Sequence, residues 1–166
     1  PTSPTVQYLA VGSDDTLYAA VGKAGVYVSG NGGGQWQAAN GGLPALDDRA
    51  WVSGVAVHPA DSQMAYLSMV TYDDANVWKT TDGGATWTPK GDVTSDPVNN
   101  PTEVWSTRGP DGGYYPYTLS WQVTIDPHNP NRVFYVNYWD IVRSDDGGEH
   151  WMHRIAGAQN TCVTDL

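Results

Sequence analysis

Along the chain, apolar residues alternate with polar or small ones over short stretches. Val55 and Val57, then Val123 and Ile125, recur at the two-residue spacing of a strand buried on one face. Three segments share one layout. Val52–Met69 reads "VSGVAVHPADSQMAYLSM", Trp121–Tyr138 reads "WQVTIDPHNPNRVFYVNY", and Tyr8–Gly22 reads "YLAVGSDDTLYAAVG". Each predicts strand, tight turn, strand, with the turn built from Pro, Asp, Asn and Ser, which close turns through fixed φ or side-chain hydrogen bonds. No long stretch carries the i, i+3, i+4 apolar spacing of an amphipathic helix.

Each segment leads into a third predicted strand, at Gly25–Ser29, Asn76–Thr80 and Asp140–Ser144. A recurring turn follows. It reads "SGNGGGQW" at Ser29–Trp36, "TTDGGATW" at Thr80–Trp87 and "SDDGGEHW" at Ser144–Trp151. A fourth strand is predicted to start at each Trp. The Trp-to-Trp spacings are 51 and 64 residues. Four antiparallel strands repeating at about 50 residues are the signature of β-propeller blades. The predicted class is therefore all-β, with about three blades at 6–42, 51–92 and 119–157. A long loop insertion is expected at 93–118 and the start of a further blade at 158–166.

The turn has a physical reading of its own. An Asp or Asn oxygen can accept hydrogen bonds from nearby backbone N–H groups, the Ser or Thr hydroxyl can brace the same loop, and paired glycines adopt positive φ at little cost. On this reading Ser29, Asn31, Gly33 and Trp36 are structural, as are Thr80, Asp82, Gly84 and Trp87, and Ser144, Asp146, Gly148 and Trp151. Calcium is the rival, but a hard-cation loop needs several oxygen ligands, and one acid per turn, replaced once by Asn31, is too few. No metal is expected.

These turns resemble the Asp-box, or BNR repeat. It recurs in sialidases, sortilin-type receptors, photosystem assembly factors and xyloglucan-cleaving glycoside hydrolases. "VTIDPHNPNRVFYV" together with "VRSDDGGEHW" is most similar to the xyloglucanase-like and photosystem-factor branch. The resemblance covers nearly the whole chain and implies the propeller fold, while many activities share that fold. Two details depart from the family pattern. Asn31 stands where Asp is usual, and the Thr that often precedes the Trp is present only as Thr86, with Gln35 and His150 at the other two positions.

Composition narrows the partners. The net charge is −10 and the pI about 4.4, which argues against nucleic acid and anionic membrane surfaces. Eight Trp and ten Tyr accompany a single Phe, and Gly and Pro together make up 30 of the 166 residues. Polar-tipped aromatics with many turn formers fit wet recognition surfaces as well as a β core. The lone Cys162 allows no disulfide within the chain and reads as an inert thiol. No apolar run approaches the roughly 20 residues of a membrane span. The opening Pro-Thr-Ser-Pro-Thr resembles a processed start or a linker end, and the composition fits a secreted or periplasmic setting.

Blade topology sorts the loops. The Asp-boxes join the third and fourth strands, so they share one face with the turns between the first and second. The opposite face receives the remaining loops, and the extra residues between Trp87 and Trp121 fall there. That segment holds Trp105, Arg108, Asp111, Tyr114, Tyr115 and Tyr117. The loops after the second strands add Tyr72, Asp73 and Asp74, then Tyr138, Trp139 and Asp140. Trp105, Arg108, Tyr114, Tyr115, Tyr117, Tyr72, Tyr138 and Trp139 are the expected ligand-binding set, because aromatic rings stack on sugars and Arg bonds hydroxyls. Covering a neighbouring blade or a protein partner is the open alternative.

Glycosidic hydrolysis needs two carboxylates at about 5–5.5 Å or about 6.5–9.5 Å. Asp73, Asp74, Asp111 and Asp140 are the candidates, with no spacing that fixes a pair. Sialidase chemistry fits less well, since Arg154-Ile155 is followed by Ala156 where that family has Pro. His150 and His153 lie three apart, on opposite sides of a strand, which argues against zinc. Nucleophile elbows and phosphate loops are absent, and no cofactor is expected. Closed propellers have four to eight blades, so three predict further blades from a longer chain or other subunits. Two functions stay open: a non-catalytic extracellular propeller that binds a glycan or protein or builds an assembly, and a fragment of a polysaccharide-cleaving hydrolase.

Overall fold

The computed structural model describes residues 5–71, 76–91, 118–119, 121–136 and 141–153. They form three antiparallel sheets, and no helix occurs among the described residues. The first sheet holds β1 (Tyr8–Val11), β2 (Leu17–Ala20), β3 (Val26–Ser29) and β4 (Gln37–Ala38) in that order. The second holds β5 (Ala50–His58), β6 (Asp61–Thr71), β7 (Val77–Thr80) and β8 (Thr88–Gly91). Short β9 (Thr118–Leu119) pairs with Val70 and Thr71 at the far end of β6. The third holds β10 (Gln122–Ile125), β11 (Val133–Val136), β12 (Ile141–Ser144) and β13 (Met152–His153). Each sheet is a meander of neighbouring strands, so the chain is all-β and built of propeller-type blades.

Alternation along the strands decides how the sheets stack. In the first sheet Ala10, Tyr18 and Val28 lie side by side in register and face the second sheet. From the second sheet Val55, Leu67 and Trp78 come to meet them, again in one register row. A one-residue shift along β6 turns to the other side, where Tyr66 and Val77 pack on Val123, Val133, Tyr135 and Val142 of the third sheet. Trp151 closes that second core, edge-on to Tyr135 with ring centroids 5.0 Å apart. The second sheet is therefore buried on both faces. Its β5 and β6 are also the longest strands, with register shifts at Val52/Gly54 and Val57/His58.

Backbone approaches at the joints leave no room for side chains. A Cβ on Gly41 would lie 2.1 Å from the Ala85 carbonyl oxygen, so only glycine fits where the first sheet's exit crosses the second sheet's turn. The innermost strands converge too: Gln122 of β10 donates to the Tyr8 hydroxyl of β1 at 2.7 Å.

Candidate functional site

The three Gly-Gly turns repeat almost bond for bond. The Ser or Thr hydroxyl donates to the acid or amide oxygen: Ser29 to Asn31 at 2.9 Å, Thr80 to Asp82 at 2.7 Å, Ser144 to Asp146 at 2.8 Å. The same hydroxyl accepts the N–H of the second glycine, from Gly33, Gly84 and Gly148, at 2.9, 3.0 and 2.9 Å. The carboxylate or amide oxygen then accepts the N–H four residues on, from Gln35, Thr86 and His150, each at 2.9 Å. Both glycines of every pair have positive φ, between 66° and 93°, a region that costs other residues strain. The first glycine's N–H reaches the end of the sheet where its first two strands join: Gly32 donates to the Asp15 carbonyl, Gly83 to that of Gln63 near the start of β6, and Gly147 to that of Asn131. Both sets of turns thus lie at one end of each sheet.

Electrostatics follows the same bonds. Hydrogen bonds from the Thr86 amide and the Thr80 hydroxyl hold the Asp82 carboxyl below its ordinary range. For Asp146 burial pulls upward, but the His150 amide, its ring and the Ser144 hydroxyl outweigh it and hold the group at about 2. The other shifted carboxylates move the same way. Asp14 is lowered by the Ser62 and Thr16 hydroxyls, Asp126 by the His128 amide, and Asp145 by Arg132 and Arg143. A general acid needs the opposite shift, a carboxyl kept protonated by an apolar pocket. Among the described residues no cluster of His, Cys, Asp and Glu could hold a metal ion.

Each Trp beyond the first turn reaches back to the preceding sheet. The Trp87 indole N–H donates to the Ala39 carbonyl at 2.7 Å, and Trp151 to the Lys90 carbonyl at 2.6 Å. Tyrosines reach forward: Tyr18 donates to the Ser62 carbonyl at 2.6 Å and Tyr66 to the Gly147 carbonyl at 2.9 Å. Burial, with nearby carboxylates adding to it, pushes both phenols up to about 12. Lys79 sits over the Tyr66 ring, 5.2 Å from its centroid, and also donates to the Gly147 carbonyl. Sequence reasoning missed these tyrosines as joint residues, although both occupy the same step of the second strand, in "LYAA" and "AYLS".

The residues expected to bind ligand or do chemistry lie outside the described residues. These are Tyr72, Asp73, Asp74, Trp105, Arg108, Asp111, Tyr114, Tyr115, Tyr117, Tyr138, Trp139 and Asp140. Described strand ends flank them: Thr71 ends β6, Val136 ends β11 and Gly91 ends β8, each at the end of its sheet remote from the Gly-Gly turns. On the turn side, a groove of about 610 Å3 opens between the first and second sheets, lined by Asn31, Gln35, Gln37, Asn40, Gly83 and Gly84 among others. It is neutral, and two of its amide oxygens are in use, Asn31 within its turn and Asn40 on the Val26 N–H at 2.8 Å. Such a lining can offer hydrogen bonds but no proton transfer.

No protein-family model matches the chain, and no curated protein does. Solved structures do resemble it. The GH74 xyloglucanase from Xanthomonas campestris superposes with a TM-score of 0.65 at 19% identity, over 96% of this chain and 25% of that one. YCF48 bound to D1 peptide gives 0.59 at 15% identity, over 92% and 42%. YCF48 from Cyanidioschyzon merolae gives 0.59 at 18%, over 98% and 45%. The chain spans less than half the length of each of these structures, and likenesses at this identity establish the propeller fold.

Proposed function

We propose that the chain is a segment of an Asp-box propeller that works as a binding or assembly module, with its Asp-boxes structural. The observation that supports this reading most is the state of the described acids. Every one with a shifted pKa is lowered and tied to turn backbone, hydroxyls or arginine. Recognition then falls to the aromatic segment around Trp105, Arg108, Tyr114, Tyr115 and Tyr117, joined by Tyr72, Tyr138 and Trp139 on the face away from the boxes. The ligand is a glycan or a protein, met outside the cytoplasm, as the composition suggests. YCF48 bound to D1 peptide is a protein-binding precedent of similar fold. The GH74 xyloglucanase from Xanthomonas campestris and the GH74 enzyme from Niastella koreensis are catalytic precedents of similar fold, and they support the second reading, a fragment of a polysaccharide-cleaving hydrolase.

One titration series separates the readings. The chain is titrated calorimetrically with xyloglucan oligosaccharides and with a peptide panel, and reducing ends are assayed in parallel. Binding without new reducing ends, lost about tenfold or more in Trp105→Ala and Tyr115→Ala, is the expected result. Release of reducing ends that disappears in Asp73→Asn, Asp74→Asn, Asp111→Asn or Asp140→Asn would replace it with the hydrolase reading.

A further inference from the structure

The two joints between the described sheets correspond position for position, yet their outer parts are filled differently. At the second joint Lys79 stands beside Tyr66 in register, with its ammonium 5.2 Å from the ring centroid, and donates to the Gly147 carbonyl at 3.3 Å. Lys90, three residues after Trp87, pairs at 2.5 Å with Glu149, the residue after the paired glycines. Two alkyl-ammonium chains and one carboxylate therefore occupy the outer part of that joint.

The same three positions at the first joint hold Val28, beside Tyr18 in register, Ala39, three residues after Trp36, and Ala85, the residue after the paired glycines. All three are small and uncharged. They line the groove of about 610 Å3, together with Gly83, the counterpart of Gly147. The Tyr18 hydroxyl donates to the Ser62 carbonyl, whereas Tyr66 donates to Gly147. Among the described residues nothing donates to the Gly83 carbonyl. Gln35 and Gln37 are exposed and line the groove too, and their side-chain amides make no hydrogen bond among the described residues. No basic residue is among its lining. The charges that bear on nearby Tyr18 are the carboxylates of Asp14, Asp61 and Asp82.

We propose that this groove is a second binding site, at the end of the molecule that carries the Gly-Gly turns, and that it takes a lysine side chain of a peptide or protein partner. The second joint displays the chemistry such a place accepts, an aliphatic stem along the sheet and an ammonium on a glycine carbonyl. The first joint keeps the carbonyl and supplies neither cation. Val28, Ala39 and Ala85 give the stem an apolar bed. The Gly83 carbonyl and the amide oxygens of Gln35 and Gln37 offer acceptors for the three donors of an ammonium. The net charge of −10 draws a cation toward the chain from a distance. A sugar ring would call for an aromatic platform, and no lining residue is aromatic. The site lies away from the Trp105 segment, so the proposal does not rest on what binds there.

The test titrates the full chain with the peptide acetyl-Gly-Gly-Lys-Gly-Gly-amide, followed by the backbone amide resonances of Gly83, Gly84 and Ala85. The same peptide acetylated on its lysine ammonium, and xyloglucan oligosaccharides, are run beside it. The lysine peptide is expected to move these three resonances and the acetylated one to bind at least about tenfold more weakly, as for loss of one dominant contact. Ala85→Glu, at an exposed position, adds the carboxylate that Glu149 supplies at the other joint and should tighten binding by up to about fivefold, the worth of an exposed ion pair. Adding Ala39→Lys to it rebuilds the Lys90–Glu149 pair within the groove and should abolish the response. Gln37→Lys, also exposed, should weaken binding without touching the core. A slowly exchanging Trp87 indole proton shows that each variant keeps the joint. Equal binding of the acetylated peptide, shifts spread over the acidic surface rather than gathered at the groove, or a response unmoved by Gln37→Lys and by the double variant would overturn the proposal. So would groove shifts with the oligosaccharides and none with the lysine peptide.

Discussion

Trp36 and Trp87 end the same turn, with the same hydroxyl, the same paired glycines and the same backbone bonds. One is 40% exposed and the other 1%. The turn therefore does not bury its own tryptophan. The neighbouring sheet does, by offering a carbonyl to the indole and apolar side chains to the ring. Local sequence sets the turn, and the sheet-to-sheet joint sets the stability of what stands on it.

Removing the buried member of the pair should cost most. Trp87→Ala deletes a ring packed between two sheets and its bond to Ala39, and is expected to lower unfolding free energy by about 3–5 kcal/mol in denaturant titration. Thr80→Ala comes next. It strips the Gly84 N–H of its acceptor and Asp82 of one of its donors, for about 1–3 kcal/mol. Thr80→Ser, which keeps the hydroxyl as Ser29 and Ser144 do, should recover most of that loss.

Tyr66→Phe removes one joint hydrogen bond and should cost about 1 kcal/mol. Its effect has a pH signature. A phenol held up at about 12 stabilises the fold fully below its ordinary value of 10.0, and that contribution is lost as the pH rises through about 12. Ultraviolet titration of the wild type should show a late phenolic step that shrinks in the variant.

Asp146 has the opposite sign. Its carboxyl, held at about 2, stabilises the fold above the ordinary value of 3.8, and the benefit fades as the pH falls through about 2. The group is 44% exposed, so solvent screening leaves about 1 kcal/mol at neutral pH. Asp146→Asn should narrow toward the wild type in acid. Asn31, which makes the same turn without charge, shows why the substitution is tolerated. The smallest effect belongs to Trp36→Ala, within about 0.5 kcal/mol, because among the described residues no second sheet covers its ring, which is 40% exposed.

The fold class was legible because its signals are local and repeated. Period-two alternation marks strands, and a turn that recurs with matching upstream segments marks units of one architecture. The third strands end on Ser29, Thr80 and Ser144, where the hydroxyl begins each turn. The joints were not legible. Nothing near Tyr18 or Tyr66 in the sequence says that the phenol bonds a carbonyl 44 or 81 residues away. Nor does "GGQW" differ visibly from "GATW", although one tryptophan is covered and the other is not. The pairing of Thr118–Leu119 with the end of β6 is of the same kind, a contact across a long segment with no local pattern to announce it. The candidate ligand residues, Trp105 among them, were picked from topology and residue type, and their test is binding.

Indole hydrogen exchange, followed by nuclear magnetic resonance with the Trp36, Trp87 and Trp151 signals assigned by substitution, measures the central claim most directly. In dilute protein the Trp87 and Trp151 protons should exchange slowly, at rates set by opening of the joints, and the Trp36 proton close to its intrinsic rate. Equal rates for all three, or a Trp36 proton as protected as the other two in dilute protein, would contradict the claim that the neighbouring sheet, not the turn, holds each tryptophan.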